Sequence, residues 1–174
     1  MEAGIERGES STRSVVLLLG TAALIYAADQ VTKALVVANL AYGERVPIIG
    51  ETVQLWHLRN TGAAFSILPG AVWLFIPITI IALGMVIYFH RQFRHRGAWI
   101  HVILGAILAG SLGNLTDRVR WGYVVDFVSV GIGDLRWPAF NVADPAVVGG
   151  IILLVVYLTF FAEEEARSRD EPAA

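Results

Sequence analysis

AVWLFIPITIIALGMVIYF, residues 71–89, carries no charged side chain and is followed at once by HRQFRHRG, residues 90–97. A helix rises about 1.5 Å per residue and the hydrocarbon core of a bilayer is about 30 Å thick, so roughly 20 apolar residues cross it. The first stretch therefore reads as a membrane-spanning helix. The second holds three arginines in eight residues and marks a short cytoplasmic turn. Working outward, three more stretches have the same apolar character, at about 14–37, 98–116 and 145–162.

The composition agrees. Of 174 residues, 56% are hydrophobic and 16% charged, with mean hydropathy +0.62. A soluble domain of this length carries about 25% charge. The opening MEAGIERGESSTRS is too acidic for a cleaved secretory signal, so the first span reads as retained. With four spans both termini share a side, and the arginine-rich turn places them in the cytoplasm. Seven arginines fall on that side and five on the other. A net charge of −2 gives no reason to expect nucleic acid, and the absence of cysteine excludes disulfides, thiol chemistry and a lipidated cysteine on this chain.

The expectation is an all-α membrane protein with a small β element, one integral membrane domain over residues 1–174, with outer loops at 38–70 and 117–144. Within those loops ETVQLWHLRN reads as a strand, and YVVDFVSV–GIGD–LRWPAF as two strands around a glycine turn. Trp121, Tyr123, Phe127, Trp137 and Phe140 suit an aromatic belt at headgroup level. Small residues four apart (Ala23/Ala27, Gly105/Ala109, Ala109/Gly113, Ala146/Gly150) would let helices pack closely.

The polar residues are few enough to take in turn. Asp126 in VVDF and Asp144 in FNVAD are separated by 17 residues too mixed to span, so both can reach one membrane face. Two neighbouring carboxylates share a proton, and such a pair can activate a water against a peptide carbonyl without metal or cofactor. The plainer reading makes Asp126 a strand-end charge and Asp144 a helix N-cap ahead of Pro145.

Asp29 and Lys33 stand i, i+4 toward the outer third of the first span; charges at that depth face other protein and pair. Asn114, Asp117 and Arg118 share one face where the third span reaches the surface, and Arg118 has the fork of donors to hold a carboxylate or carbonyl. In RNTGAAFSIL, residues 59–68, Gly62, Ala63 and Ala64 would admit a peptide backbone and Asn60 would hydrogen-bond it; a loop entering a helix looks the same.

Other chemistries find less support. The histidines lack a metal-binding spacing, no GxSxG is present, and a Ser–Lys dyad would have to pair Lys33 with Ser66 or Ser111. A proton relay through Asp29, Asp117, Asp126 and Asp144, or a scaffold whose charges only cap helices, stays open.

DQVTK, RNTGAAFSIL, GNLTDRVRWGYVVDF and FNVADPA, in that order, resemble the bacterial lipoprotein signal peptidase (signal peptidase II) family. The resemblance runs from about Asp29 to the last span. It implies an aspartyl endopeptidase of the inner membrane that cuts diacylglyceryl-modified prolipoproteins just before the lipidated cysteine. It implies no cofactor, and as partners only those precursors and membrane lipid, with the chain acting as a monomer.

By position the catalytic pair falls on Asp126 and Asp144, and the supporting residues on Asp29, Lys33, Asn60, Gly62, Asn114, Arg118 and Asn141. The first outer loop is expected to form a cradle over a site near the outer face, and Gly43 and Gly50 suggest that it closes. Pro145 and Thr116 depart from the family's usual residues, serine or alanine and an aliphatic residue respectively.

Overall fold

The computed structural model describes residues 2–62, 70 and 72–160, with only the helical backbone for residues 2–11. Ala63, Ala64, Ser66 and the charged tail from 163 onward lie outside the described residues. The chain runs α1 (Glu2–Asn39), β1 (Arg45–Ile49), β2 (Val53–Asn60), α2 (Val72–Gln92), α3 (Ala98–Trp121), β3 (Val124–Ile132), β4 (Leu135–Arg136) and α4 (Ala143–Phe160). Among the described residues four helices are long and apolar enough to cross a membrane. The protein is a multi-pass membrane protein.

α3 is the hub. It packs against α1, α4 and α2, and more than half of its apolar stretch is buried, while the other three expose most of theirs. Outward-facing leucine, isoleucine and valine on those three meet lipid rather than a protein core. Small residues bring α3 close to its neighbours. A Cβ on Gly105 would sit 2.6 Å from the Leu18 carbonyl oxygen, and one on Gly110 would overlap the Ala143 carbonyl and Val147. Ala23 and Ala27 do not belong to this set: both face outward. The packed stripe of α1 runs instead through Ser14, Leu18, Ala22, Asp29, Lys33 and Val36, steps of three, four and seven that keep one helix face.

α3 continues five residues past its expected end at 116, so Asp117 and Arg118 are helical rather than part of the outer loop. Gly122 ends it: at φ +74 its N–H donates back to the Arg118 carbonyl at 3.0 Å, the left-handed cap that glycine adopts without a Cβ penalty. The chain then enters β3, the centre of an antiparallel sheet in the order β1–β2–β3–β4. β2 falls where its aromatic and β-branched content places it, and the hairpin turns within GIGD, with β3 running on to Ile132 and β4 limited to Leu135–Arg136 rather than the whole of LRWPAF; β1, which contains Pro47, is an addition.

Gly43 and Gly50 are turn positions flanking β1, with φ of +82 and +51, and serve the hairpin geometry. Leu58 pairs with Asp126 and Asn60 with Val124, and a bulge between Leu55 and Leu58 shifts this register. Phe127 leaves the aromatic belt: its place on β3 buries it beside Val36 and Val125.

Three charges lock the outer ends of α1 and α3 together. Lys33, 1% exposed, places its ammonium 2.8 Å from Asp29 Oδ2 and 2.9 Å from Asp117 Oδ2, both carboxylates fully buried. Its third acceptor is Asn114 Oδ1 at 3.0 Å. Gln30 Nε2 donates to both carboxylates, at 3.1 and 3.3 Å. The two carboxylates also hold other elements: Asp29 Oδ1 accepts the Ala143 N–H of α4 at 3.0 Å, and Asp117 Oδ2, the oxygen that faces Lys33, also accepts the Val125 N–H of β3 at 3.1 Å. Thr116 adds a hydroxyl contact to Tyr26 of α1 at 3.1 Å.

Removing one member of a buried ion cluster leaves uncompensated charge, at a cost of about 3–5 kcal/mol. Lys33→Met should therefore lower unfolding stability in detergent by about that amount, whereas a loss below about 1 kcal/mol would show the cluster to be water-screened. Gly110→Ala should cost about 1–3 kcal/mol by pushing α4 off α3, read in the same thermal unfolding; an unchanged midpoint would mean that the two helices separate freely.

Candidate active site

Asp126 points from the middle of β3 onto the sheet face it shares with Leu58 and Asn60. It is 4% exposed and both of its oxygens are engaged. Asn60 Nδ2 donates to Oδ2 at 2.9 Å, and Asn141 Nδ2 to Oδ1 at 2.8 Å.

Asp144 arrives from α4 and is not the N-cap. The helix begins at Ala143, and Asp144 and Asn141 bond reciprocally three residues apart, as in a capping box. The Asp144 N–H donates to Asn141 Oδ1 at 3.1 Å, and the Asn141 N–H to Asp144 Oδ2 at 3.0 Å. Pro145 falls in the first turn, where backbone N–H groups have no intrahelical acceptor, so the proline costs no helix bond.

What brings these aspartates together is the run 137–140. Trp137 N–H bonds the Val130 carbonyl at 2.8 Å; Phe140 and Val128 bond each other at 3.0 and 2.8 Å. The run thus tracks β3 before turning into α4 and delivers Asn141, fully buried, beside Asp126. Asn141 bridges both acids, with its side-chain amide on Asp126 and its backbone on Asp144. Asn114 forms a second bridge: its Oδ1 accepts from Lys33 and from Asn141 Nδ2 at 3.1 Å, so its Nδ2 is turned to Asp144 Oδ1 at 2.8 Å.

Arg118 lies on the same α3 face as Asn114. It donates to the Gly62 carbonyl at 3.3 Å, lies over the Phe75 ring at 5.3 Å, and is within electrostatic reach of Asp144, Asp126 and Asp117. Gly62 is tied in through its own N–H, which donates to Asn60 Oδ1 at 2.9 Å.

All nine residues singled out from the sequence therefore join one hydrogen-bonded and ionic network. The acids form a cluster, not a file through the membrane depth. Asp117, expected on one helix face with Asn114 and Arg118 and as a member of the proton-relay alternative, proves to be the second carboxylate on Lys33, and Gln30 was not anticipated. Lys33 has all three donors occupied by Asp29, Asp117 and Asn114, which leaves none for a serine.

Burial is the main force on Asp126, followed by the neighbouring charge of Asp144. Together they push its carboxyl up to about 7, against the opposing hydrogen bonds from Asn60 and Asn141 and the more distant Lys33. Beside it opens a cavity of about 330 Å³ walled by Trp56, Leu58, Arg59, Asn60, Pro138 and Ala139. Among the described residues no group of three or more histidine, aspartate or glutamate side chains is placed to hold a metal ion.

A family model described as signal peptidase (SPase) II matches residues 21–160. A lipoprotein signal peptidase of Mycobacterium avium (strain 104) is 49% identical over 155 residues, covering 85% of this chain and 81% of that one. One from Syntrophus aciditrophicus (strain SB) is 39% identical over 149 residues, with 83% and 92% covered. A bacterial membrane enzyme solved by the in meso method at 2.3 Å superposes with a TM-score of 0.72 at 30% identity, over 92% of this chain and 94% of its own. A second, solved at 1.9 Å, gives 0.69 at 33% identity, over 85% and 93%. The chain belongs to the signal peptidase II family, and so to the membrane aspartic endopeptidases.

Proposed function

We propose that this protein removes the signal peptide from diacylglyceryl-modified prolipoproteins, cutting before the lipidated cysteine, with Asp126 and Asp144 as the catalytic pair. The observation that carries this reading is Asn141, which holds one carboxylate by its amide and the other by its backbone. A pair fixed in that way is preorganised around a single water, and geometry is what converts two ordinary acids into a catalyst.

Asp126, the more deeply buried member and the one raised to about 7, holds the shared proton near neutrality. Asp144 takes a proton from the water as its oxygen attacks the scissile carbonyl carbon, and Asp126 gives its proton to the carbonyl oxygen. In the second half one hydroxyl of the tetrahedral carbon returns its proton to Asp126 as the carbonyl reforms, the C–N bond breaks, and the departing amine takes up the proton held by Asp144. Arg118 and Asn60 orient the substrate backbone, with Gly62 allowing its approach. Asp29, Lys33 and Asn114 act through Asn141 and Asp144, as positioning residues.

The site belongs near the outer face of the bacterial cytoplasmic membrane. The arginine-rich turn between α2 and α3 lies at the end of α3 opposite Asp117 and the sheet; its arginines support a cytoplasmic position for that turn and for both termini, with the site on the other side. The lipid-anchored precursor reaches the site by lateral diffusion. One chain supplies every residue named, in keeping with a monomer.

In lipid vesicles with a diacylglyceryl-modified precursor, Asp126→Asn and Asp144→Asn should each lose at least about 100-fold in turnover while remaining inserted and folded. Near-normal cleavage by either variant would remove the pair from the mechanism. The pH dependence follows from Asp126. Below about 7 the pair keeps one proton; above it the acid is lost, so kcat/KM should fall about tenfold per pH unit on the alkaline side. A rate that keeps climbing as pH passes that value would contradict the assignment.

A further inference from the structure

A groove between α3 and α4 takes no part in the reaction proposed above. Its volume is about 560 Å³, within the usual range of ligand pockets, and its walls are aliphatic and aromatic residues and glycines, with no charged side chain. None of the nine residues of the candidate active site lines it. Along α4 it runs from Pro145 to Tyr157, a rise of about 18 Å. One leaflet of a bilayer offers about 15 Å of hydrocarbon, so the groove has the length of a single acyl chain.

The glycines of α4 show that this space is kept open. Glycine in a helix interior is destabilising relative to alanine, so each one calls for a cause. At Gly150 the cause is packing: a Cβ there would sit 2.6 Å from Ile107 Cγ1 of α3. At Gly149 a Cβ would meet nothing within 4 Å, and what that glycine leaves clear is the groove.

The end of the groove at Trp99 and Tyr157 meets the arginine-rich turn. Phe93 of that turn packs against the buried cluster that contains Tyr157, and Arg96 lies over the Phe93 ring at 5.3 Å. Residues 90–97 include Arg91, Arg94 and Arg96 and no carboxylate. An apolar slot of acyl-chain length ending at a run of guanidinium groups is complementary to a phospholipid whose head carries net negative charge.

We propose that this groove binds one anionic phospholipid, with an acyl chain lying over Gly149 and the phosphate meeting Arg94 and Arg96. A chain seated there fills the space between α3 and α4 and steadies the helix that carries Asp144. The site stands independently of the peptidase reading.

The full chain, stripped of lipid in detergent, would be given dioleoyl phosphatidylglycerol or dioleoyl phosphatidylcholine and followed by native mass spectrometry and thermal unfolding. Wild type should hold one phosphatidylglycerol per chain about fivefold more tightly than phosphatidylcholine, the scale of one arginine near a headgroup, and should unfold at a higher temperature with it bound. Gly149→Leu, whose side chain enters only the groove, should lose that lipid of either kind, with a lipid-free unfolding midpoint at or above that of wild type. Arg94→Gln combined with Arg96→Gln should bring phosphatidylglycerol down to the level of phosphatidylcholine; this variant decides the question if the leucine variant does not fold, and an undiminished preference in it overturns the proposal.

Retention of phosphatidylglycerol by Gly149→Leu as in wild type would overturn the site, and so would equal retention of the two lipids by wild type. Loss of a dimer in the leucine variant would make the groove a contact between copies. A raised KM for a lipid-modified precursor, with lipid retention unchanged, would give the groove to the signal helix. Either of those results also overturns the proposal.

Discussion

The buried ammonium of Lys33 is the constraint from which the rest of the architecture follows. A lysine with three donors and 1% exposure, inside a chain surrounded by lipid, is tolerable only if every donor meets an acceptor. Asp29, Asp117 and Asn114 supply them. Because the two aspartates are buried as well, their remaining lone pairs must also be met: the Ala143 N–H takes Asp29 Oδ1, and the Val125 N–H shares Asp117 Oδ2 with Lys33. A charge cluster on α1 and α3 thereby pins the start of α4 and the start of β3, the two segments that carry Asp144 and Asp126.

That chain of obligations explains why the site is polar at its centre yet rigid. Asn114 is held on its oxygen side by Lys33, so its amide nitrogen is available only to Asp144. Asn141 is fully buried and uses both its side chain and its backbone. Buried networks satisfied in this way specify one arrangement, because any slip leaves a polar group unpaired in a low-dielectric setting. The glycines of α3 belong to the same logic: a side chain at Gly113 would sit 2.5 Å from Asp29 Oδ2 and displace the carboxylate that holds Lys33.

The sheet contributes differently. The helices offer lipid-facing surface and a charge cluster, but no concave wall beside Asp126. β1 and β2, paired to β3, build that wall, and the bulge in β2 sets which of its residues stand opposite the acid.

Much of this was determined by the sequence alone. Apolar runs long enough to cross a bilayer must do so, and charges inside them must pair, which made the four spans, the Asp29–Lys33 pair and the acids of VVDF and FNVAD legible from residue order. Local chemistry also sufficed for β2 and the glycine turn after β3. Only the tertiary structure decided that Asp117 completes the Lys33 cluster, that α3 runs on to Trp121, that Phe127 is core, and that Asn141 caps Asp144 while gripping Asp126. It likewise set Arg45 against Trp56. These depend on contacts between segments distant in the chain, and a pairing between strands or helix faces leaves no periodicity in the residues that make it.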